Sequence, residues 1–488
     1  MKRNVAIVGS GFAAWGAAVA LVRQGDVSVT LFDIGLTQAG SDMANRPVHN
    51  AKKCDGSFYC YGVNDPDFPV QLDSLRICSS HAFGGHSNVY SGGVLYPKNH
   101  DLSDWPEASL PQAEDYAAVL SKIRILHQPD ALEKFFPMPP DFLTISEKKT
   151  AETVSVAGMS RIALRQPDNQ NEDLPARLFS AREEFKSMVS LGFLAYTGGC
   201  YVSHAISRDG RVELSYNING STGAATFDAV FLGAGCVNTT AIVDRSVQPP
   251  GSRDFSIRAP RLAIHAFFRI PWKDDPASRI RRQNGLPEYF LEVRSPMTGD
   301  AWSHTQLSCV NDQIIDSVCA LLPRLLHPVV RWSRGLLYFA MSLKASDGYE
   351  MARMRSVIAG DGALQSVSLT EHPAERLPQF VRAVRRATLR HWRLLRMVPI
   401  PFGEHLAEFF RGNRLGGWHF GGTLPMRTQP IGQTECWPSG EVKGLSGVYV
   451  LDSAAFPSIP ASTVALLTMA HGHRVARCWK SRLFSKDQ

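Results

Sequence analysis

Late in the chain, Gly416 to Met426 reads GGWHFGGTLPM, a single imidazole, His419, set between two pairs of glycines. Imidazole is the side chain whose ordinary titration lies nearest neutral pH, so a histidine can exchange a proton with a bound molecule. The glycines leave room beside the ring. A histidine satisfied by backbone is the plainer alternative, and this stretch alone does not decide between them.

A second constellation stands at the other end. Val5 to Val22, VAIVGSGFAAWGAAVALV, holds no charge over eighteen residues and follows Lys2 and Arg3, which by length alone would suit a membrane span or a leader sequence. Its glycines point elsewhere. Four apolar residues, a glycine turn and an alanine-rich run make a buried strand, turn and helix. In Gly9-Ser-Gly11-Phe-Ala-Ala14, Gly9 permits the tight turn, Gly11 lets a pyrophosphate approach the backbone, and small Ala14 lets helix pack on strand. The helix N-terminus then faces the phosphates. A second strand, VSVTLFD, ends in Asp33, an acid about twenty residues past the glycines, where a ribose hydroxyl needs an acceptor. No leader peptide is expected, and a bound dinucleotide is.

Phe227 to Ser246, FDAVFLGAGCVNTTAIVDRS, gives another apolar strand that turns at Gly233-Ala-Gly235 into a helix. It follows a stretch of alternating polarity, CYVSHAISRDGRVELSYNI, with a hairpin turn at Asp209-Gly210. One N-terminal glycine fingerprint with a later strand of this kind favours FAD over NAD.

Four separated segments resemble the glucose-methanol-choline (GMC) oxidoreductases, FAD-dependent alcohol oxidases and dehydrogenases. They are Val5 to Asp33; FGGHSNVYSGG, Phe83 to Gly93; Gly233 to Ser246; and WHFGGTLPM together with Gly447 to Ala476. Their order and spacing are similar to that family's discontinuous FAD domain, and between them the similarity is faint. The resemblance implies that Gly85, Ser87 and Asn88 run along the pyrophosphate and flavin. It implies further cofactor contacts at Val202, Gly235, Asp452, Ala461 and Ser462, with the start of the last helix stabilising negative charge on the reduced ring. His86 invites comparison with relatives that link FAD through a histidine, but the matching position is Val89, so noncovalent FAD is expected. His419 becomes the base that removes the hydroxyl proton of an alcohol, with Trp418 and Phe420 walling the pocket.

One departure stands out. The family usually presents a second His or Asn near the start of the last helix, where this chain offers Ala461, Ser462 or Thr463. Ser462 can donate a hydrogen bond but is a poor base. His419 then works alone, or another histidine substitutes, or the chemistry has changed. His471 and His473, two to three turns on, are expected as helix-face residues. Ser462 or Thr463 is also expected as that helix's N-cap.

Composition bounds the rest. The chain has 488 residues, 44% hydrophobic and 20% charged, enough for a large core. Nine cysteines show no C-x-x-C pair, which argues against a zinc module or a disulfide framework and suits a reducing compartment. The net charge of +7 gathers in an arginine-rich run, Ala374 to Met397, read as one helix with Leu377, Phe380, Val381, Val384, Leu389, Leu394 and Leu395 facing the core. It is a solvated cationic face rather than a nucleic-acid surface. Asp101 to Ile123 reads as a Trp-Pro turn and a helix covering the mouth of the site. Residues 256–370 alternate apolar and polar as an antiparallel sheet does. Within them Cys319 to Met341 is apolar, with Arg324, Arg331, Arg334 and Trp332, and suits either a lid or a membrane interface.

The expected fold is therefore α/β: a Rossmann-like, discontinuous FAD-binding domain (1–100, 175–255, 411–488) and an α+β substrate domain (101–174, 256–410) with a mostly antiparallel sheet. The expected function is oxidation of a CH-OH group of an alcohol, sugar or lipid-like substrate to a carbonyl, with oxygen, a quinone or a protein reoxidising the flavin. No metal and no nucleic acid enter this reading. The expected location is the cytoplasm, with residues 319–341 touching the inner face of the membrane as the alternative. Rival readings are a lyase, isomerase or desaturase on the same scaffold, and a noncatalytic membrane-associated nucleotide-binding protein.

Overall fold

Consecutive apolar residues with no polar alternation need cover on both faces, and the Arg3–Val8 strand has it. It lies central in a five-stranded parallel sheet of order Val448–Val450, Ala229–Leu232, Arg3–Val8, Val27–Phe32 and Ala195–Thr197. Val5 and Ile7 pack on one side with the first helix, Phe12–Leu21, and the last, Val464–Lys486. Ala6 and Val8 pack on the other with the Cys236–Ser246 helix. The computed structural model describes residues 2–22, 26–35, 70–72, 80–88, 90–125, 146–150, 152–165, 178–218, 220–247, 251–270, 287–309, 315, 319, 323–332, 336–346, 349–372, 377–400 and 419–486.

The uncharged N-terminal run is thus strand, turn and helix. No helix among the described residues is long and apolar enough to cross a membrane. First and last helices touch backbone to backbone: a Cβ on Gly16 would stand 2.0 Å from the Met469 carbonyl oxygen, and one on Gly472 2.1 Å from that of Ala13.

The turn at Asp209 (φ 50°) and Gly210 (φ 74°) has two left-handed residues, the geometry that matches strand twist in a two-residue hairpin. It joins Cys200–Arg208 to Arg211–Ile218, and Ser221–Phe227 adds a third antiparallel strand beyond the expected hairpin.

The expected antiparallel sheet is present, with seven strands in the order Met397–Pro399, Arg261–Arg269, Leu337–Lys344, Trp302–Cys309, Pro287–Arg294, Val154–Met159 and Ser146–Lys149. Leu291, Val293, Leu307 and Ala340 face the Pro378–Arg390 helix through Phe380, Ala383, Val384 and Ala387. Residues of the opposite parity, among them Gln306, Met341 and Leu343, face the last helix's start and the cleft described below. A four-stranded sheet, Ser252–Arg258, Glu350–Ile358, Leu364–Glu371 and Val70–Leu72, completes the larger β elements.

Two expectations are corrected. The arginine-rich run is not one helix: it is helical over Pro378–Arg390, breaks at His391, resumes over Trp392–Leu395 and ends at left-handed Arg396, while residues 374–376 lie outside the described ones. Leu389, expected in the core, is 49% exposed, because the buried face is carried by Phe380, Ala383, Val384 and Ala387. The helix after the Trp-Pro turn, Ala113–Leu120, does not cover the cleft. It packs on the last helix, where buried Asp115 accepts from Arg477 Nε (2.9 Å) and meets His473 Nδ1 at 2.7 Å. A buried carboxylate needs such partners, and the last helix offers charged ones beside the Gln112 amide.

Candidate active site

One cleft, enclosing about 310 Å³, runs from the N-terminal glycine turn past Asp33 and Asp452 to His419 and Gln306. Its floor is backbone. Gly9 has φ +91°, and a Cβ there would meet the Gly233 carbonyl oxygen at 2.4 Å, so the turn requires glycine. Over Gly11 a Cβ would find nothing within 4 Å, and as N-cap it makes no side-chain hydrogen bond, which leaves the helix start open to a ligand. Ala14 is fully buried under Gly233, 3.4 Å from where its Cβ would stand.

The Phe83 to Gly93 loop is drawn over this turn. Ser10 Oγ accepts from the Gly84 amide (2.7 Å), and Gly85 sits close to Gly11, 3.4 Å separating its would-be Cβ from the Gly11 Cα. Gly85, His86, Tyr90 and Ser91 line the cleft. Ser87 and Asn88 do not point into it. Ser87 Oγ donates to Gly84 O (2.6 Å) and accepts from the Ala181 amide (3.0 Å), while Asn88 Nδ2 donates to Phe83 O (2.9 Å). Both hold the loop's shape instead of facing the space it covers.

Half-buried Asp33 and buried Asp452 are the carboxyls that line the cleft. Asp33 Oδ1 accepts from the Gly35 amide at 2.6 Å, yet burial outweighs this bond and that to Ser10, and pushes the carboxyl up to about 7. Val202 is buried beside it, in a side pocket shared with Cys200 and Asn238. Asp452 accepts from Thr239 Oγ1 (2.6 Å) and the Gly235 amide (2.9 Å) through Oδ2, and from the Ala454 amide (2.9 Å) through Oδ1. Burial still raises it to about 6. These bonds tie the end of the Val448–Val450 strand to the Gly233–Gly235 turn, where Gly235 (φ +89°) caps the following helix.

His419 lines the far end with Phe420, Gln306, Met341 and Thr463; Trp418 and Val89 lie outside the described residues. Its ring is pushed down to about 4, first by burial and then by the imidazoles of His304 and His86. The ring is therefore neutral at physiological pH, the form in which imidazole accepts a proton.

Of the three candidate residues at the last helix's start, Thr463 reaches the cleft. Its Oγ1 accepts from the Leu95 amide at 3.2 Å. Ala461 is buried, with its amide donating to Asp101 Oδ2 (3.1 Å), and Ser462 is buried with no partner for its hydroxyl. His471 and His473 are both buried, His471 against Trp105 and Phe456.

Sequence reasoning missed Gln306 and Met341, cross-strand neighbours that form part of the cleft wall, and the buried pair His304–Glu292, whose Nδ1 and Oε1 are 2.6 Å apart. The alternation in WSHTQLSC does put His304 and Gln306 on one strand face. Nothing local says which face meets a site. Among the described residues, no group of His, Cys, Asp or Glu is arranged to hold a metal ion.

Residues 365–472 match the family model for GMC oxidoreductase. Two solved structures share the fold across almost the whole chain. Pyridoxine 4-oxidase from Mesorbium loti aligns at 16% identity and TM-score 0.63, over 98% of this chain and 99% of that one. An FAD-dependent oxidoreductase from Chaetomium thermophilum, in complex with a small-molecule fragment, aligns at 13% identity and TM-score 0.62, over the same shares. No curated protein matches the sequence.

Proposed function

We propose that the chain is a GMC oxidoreductase, as the match of residues 365–472 to that family's model supports, and that it oxidises the CH-OH group of an alcohol, sugar or lipid-like substrate to a carbonyl beside His419. In that family's chemistry it is an FAD-dependent oxidoreductase, and FAD, when bound, would supply the hydride acceptor. The observation that carries the reading is the single cleft joining the Gly9 turn and Asp33 to His419.

In this reading the parallel sheet and its helices are a Rossmann-like FAD-binding domain built from 1–100, 175–255 and 411–488, and residues 101–174 and 256–410 form the substrate domain. Gly9 and Gly11 admit the pyrophosphate to the backbone, with Ala14 packing beneath. Asp33 accepts from ribose hydroxyls, with Val202 beside the adenosine end. Gly85 and Gly235 allow close approach; Ser87 and Asn88 keep the covering loop in shape. Asp452 and the backbone near Ala461 and Ser462 hold the flavin end. The cofactor is held without a covalent bond.

His419 takes the hydroxyl proton onto its free ring nitrogen while the carbonyl forms. Phe420 and Met341 exclude water around it, which strengthens every polar contact made there. Ser462, whose buried hydroxyl has no partner within the protein, is in this reading a donor to the bound molecule and not a base.

The substrate is a small alcohol or sugar, free or lipid-linked. The electron acceptor is oxygen, a quinone or a protein. We place the enzyme in the cytoplasm, with contact to the inner membrane face through 319–341. Within that segment Leu325 is 87% and Trp332 76% exposed, beside exposed Arg324 and Arg331. Phe268 and Val398, a cross-strand pair on the adjoining sheet edge, are exposed as well. Apolar area flanked by cations is what an interfacial site requires.

The test is the absorbance spectrum of purified protein, before and after anaerobic addition of pooled alcohols and sugars, in wild type and His419→Ala. Flavin bands that bleach only when His419 is present support the reading. Retained flavin that nothing bleaches points to altered chemistry, and protein that takes up no flavin overturns the whole assignment.

A further inference from the structure

One strand of the seven-stranded sheet is apolar on both faces. In Leu337–Lys344, which has a neighbour on either side, Tyr338 and Ala340 are fully buried beneath the Pro378–Arg390 helix, while Leu337, Phe339 and Met341, on the opposite face, are half-buried. A strand face that water reaches ordinarily alternates to polar residues, so three large apolar ones in succession suit contact with hydrocarbon.

The register joins this face to two other places. Met341 is paired with Gln306, and both line the cleft that holds His419. Phe339 is paired with Ser308 on one side and Ala266 on the other, and Leu337 with Phe268, which is paired in turn with Val398. Directly opposed residues share a sheet face. One apolar track therefore runs from the cleft wall at Met341, over Phe339 and Ala266, to Phe268 and Val398, which are 47% and 41% exposed. Each strand residue rises about 3.4 Å, so Met341 to Leu337 covers about 13 Å, the length of about ten methylenes of an extended chain.

The outer part of the track has a roof. Ile315 and Cys319 pack with Leu337 and Phe339, and Val330 from the His327–Trp332 helix joins the same cluster. That helix turns Val329 and Trp332 outward, beside exposed Arg331. Apolar side chains on both faces of so short a helix suit a place between the sheet and a lipid surface, and the arginine matches anionic headgroups.

We propose that this track is the chain site of the substrate, and that the molecule oxidised is a lipid alcohol. Its hydroxyl end lies at His419 and Gln306, its hydrocarbon chain along Met341, Phe339 and Leu337, and its far end toward the patch at Phe268 and Val398. The inference rests on the proposed alcohol oxidation and narrows its substrate.

The test measures affinity for straight-chain primary alcohols from butanol to tetradecanol, by protein fluorescence under anaerobic conditions, on holoenzyme whose flavin has been chemically reduced so that no turnover intervenes. The dissociation constant falls about fourfold per methylene, the gain of burying one, up to about ten methylenes, and then levels. In Ser308→Phe, which fills the track beside Phe339, the levelling moves to about five methylenes. Leu337→Asn puts an amide at the outer end and pulls the levelling in by about two methylenes, which decides the matter if Ser308→Phe does not fold. Affinity that is flat in chain length, a fall that never levels, or a levelling point unmoved in both variants overturns the inference. Short alcohols or sugars that bleach the oxidised flavin while longer chains bind no better leave the oxidation reading standing and remove the chain site. A climb that shortens in the variants, in a protein that no alcohol reduces, keeps the chain site and sinks the oxidation reading.

Discussion

Asp452 and Thr239 lie 213 residues apart in sequence and are joined by a 2.6 Å hydrogen bond at the floor of the cleft. The carboxyl is already raised by burial, so each donor that reaches it matters. Thr239→Val keeps the shape and removes one donor, leaving a buried acceptor short of a partner. The expected cost is about 1–3 kcal/mol of unfolding free energy in denaturant melts, together with weaker retention of flavin on gel filtration. Unchanged stability and flavin content would show that the bond is incidental.

His419→Ala should slow flavin reduction by about 10²–10⁴-fold and leave flavin content as in wild type. The sign of the pH dependence follows from the depressed value: the ring is a competent base while neutral, and it protonates only as pH falls toward about 4. Stopped-flow reduction should therefore be level from pH 8 down to about 5 and fall below that. A drop centred near 6.5, the ordinary imidazole value, would contradict the burial described for this ring.

Cofactor affinity should also depend on pH, through Asp33. Its folded value is raised, so the flavin-free protein draws stability from the bound proton below the ordinary 3.8 and loses that contribution as pH rises toward about 7. Ribose hydroxyls need the ionised acceptor. The FAD dissociation constant should fall by up to about tenfold per pH unit on approaching 7, and the thermal upshift caused by FAD should grow over the same window. In Asp33→Asn both trends should flatten.

Co-sedimentation with lipid vesicles addresses the exposed apolar surface. Vesicles rich in phosphatidylglycerol should retain the protein at low salt, neutral phosphatidylcholine vesicles should not, and about 0.5 M salt should release it by screening. Leu325→Ser with Trp332→Ser should abolish retention and leave the flavin spectrum intact. Equal binding of the double variant would remove this segment from the contact.

The glycine-turn end of the cleft was legible because its geometry is local. The glycines, the strand before them and Asp33 lie within about thirty residues, and each is there for a reason that can be read from its type. Asp209-Gly210 likewise announced a hairpin by its turn chemistry. The Gln306 end of the cleft was not legible, since it is built from register. Gln306 and His304 look like any alternate pair in a strand, and only the pairing with Met341, Leu343 and Glu292 turns that face to the cleft. The Ala113–Leu120 helix was misplaced for the same reason: its partners, His473 and Arg477, are more than 350 residues away. The arginine-rich run failed differently, because helical spacing of leucines persists across the break at His391 that the chain makes to reach the sheet edge.

The strand order of the parallel sheet bears on synthesis. Arg3–Val8, Ala229–Leu232 and Val448–Val450 are made in that order, each more than 200 residues from the next, yet these three are neighbours. Until the last of them emerges from the ribosome, Ala229–Leu232 presents an open hydrogen-bonding edge, and the helix that closes over Gly16 has not been made. In that interval Ala229–Leu232 is paired on one side only, the kind of edge that invites wrong partners. The turn at Gly9 and the helix that packs over Gly16 are therefore completed only when distant parts of the chain come together.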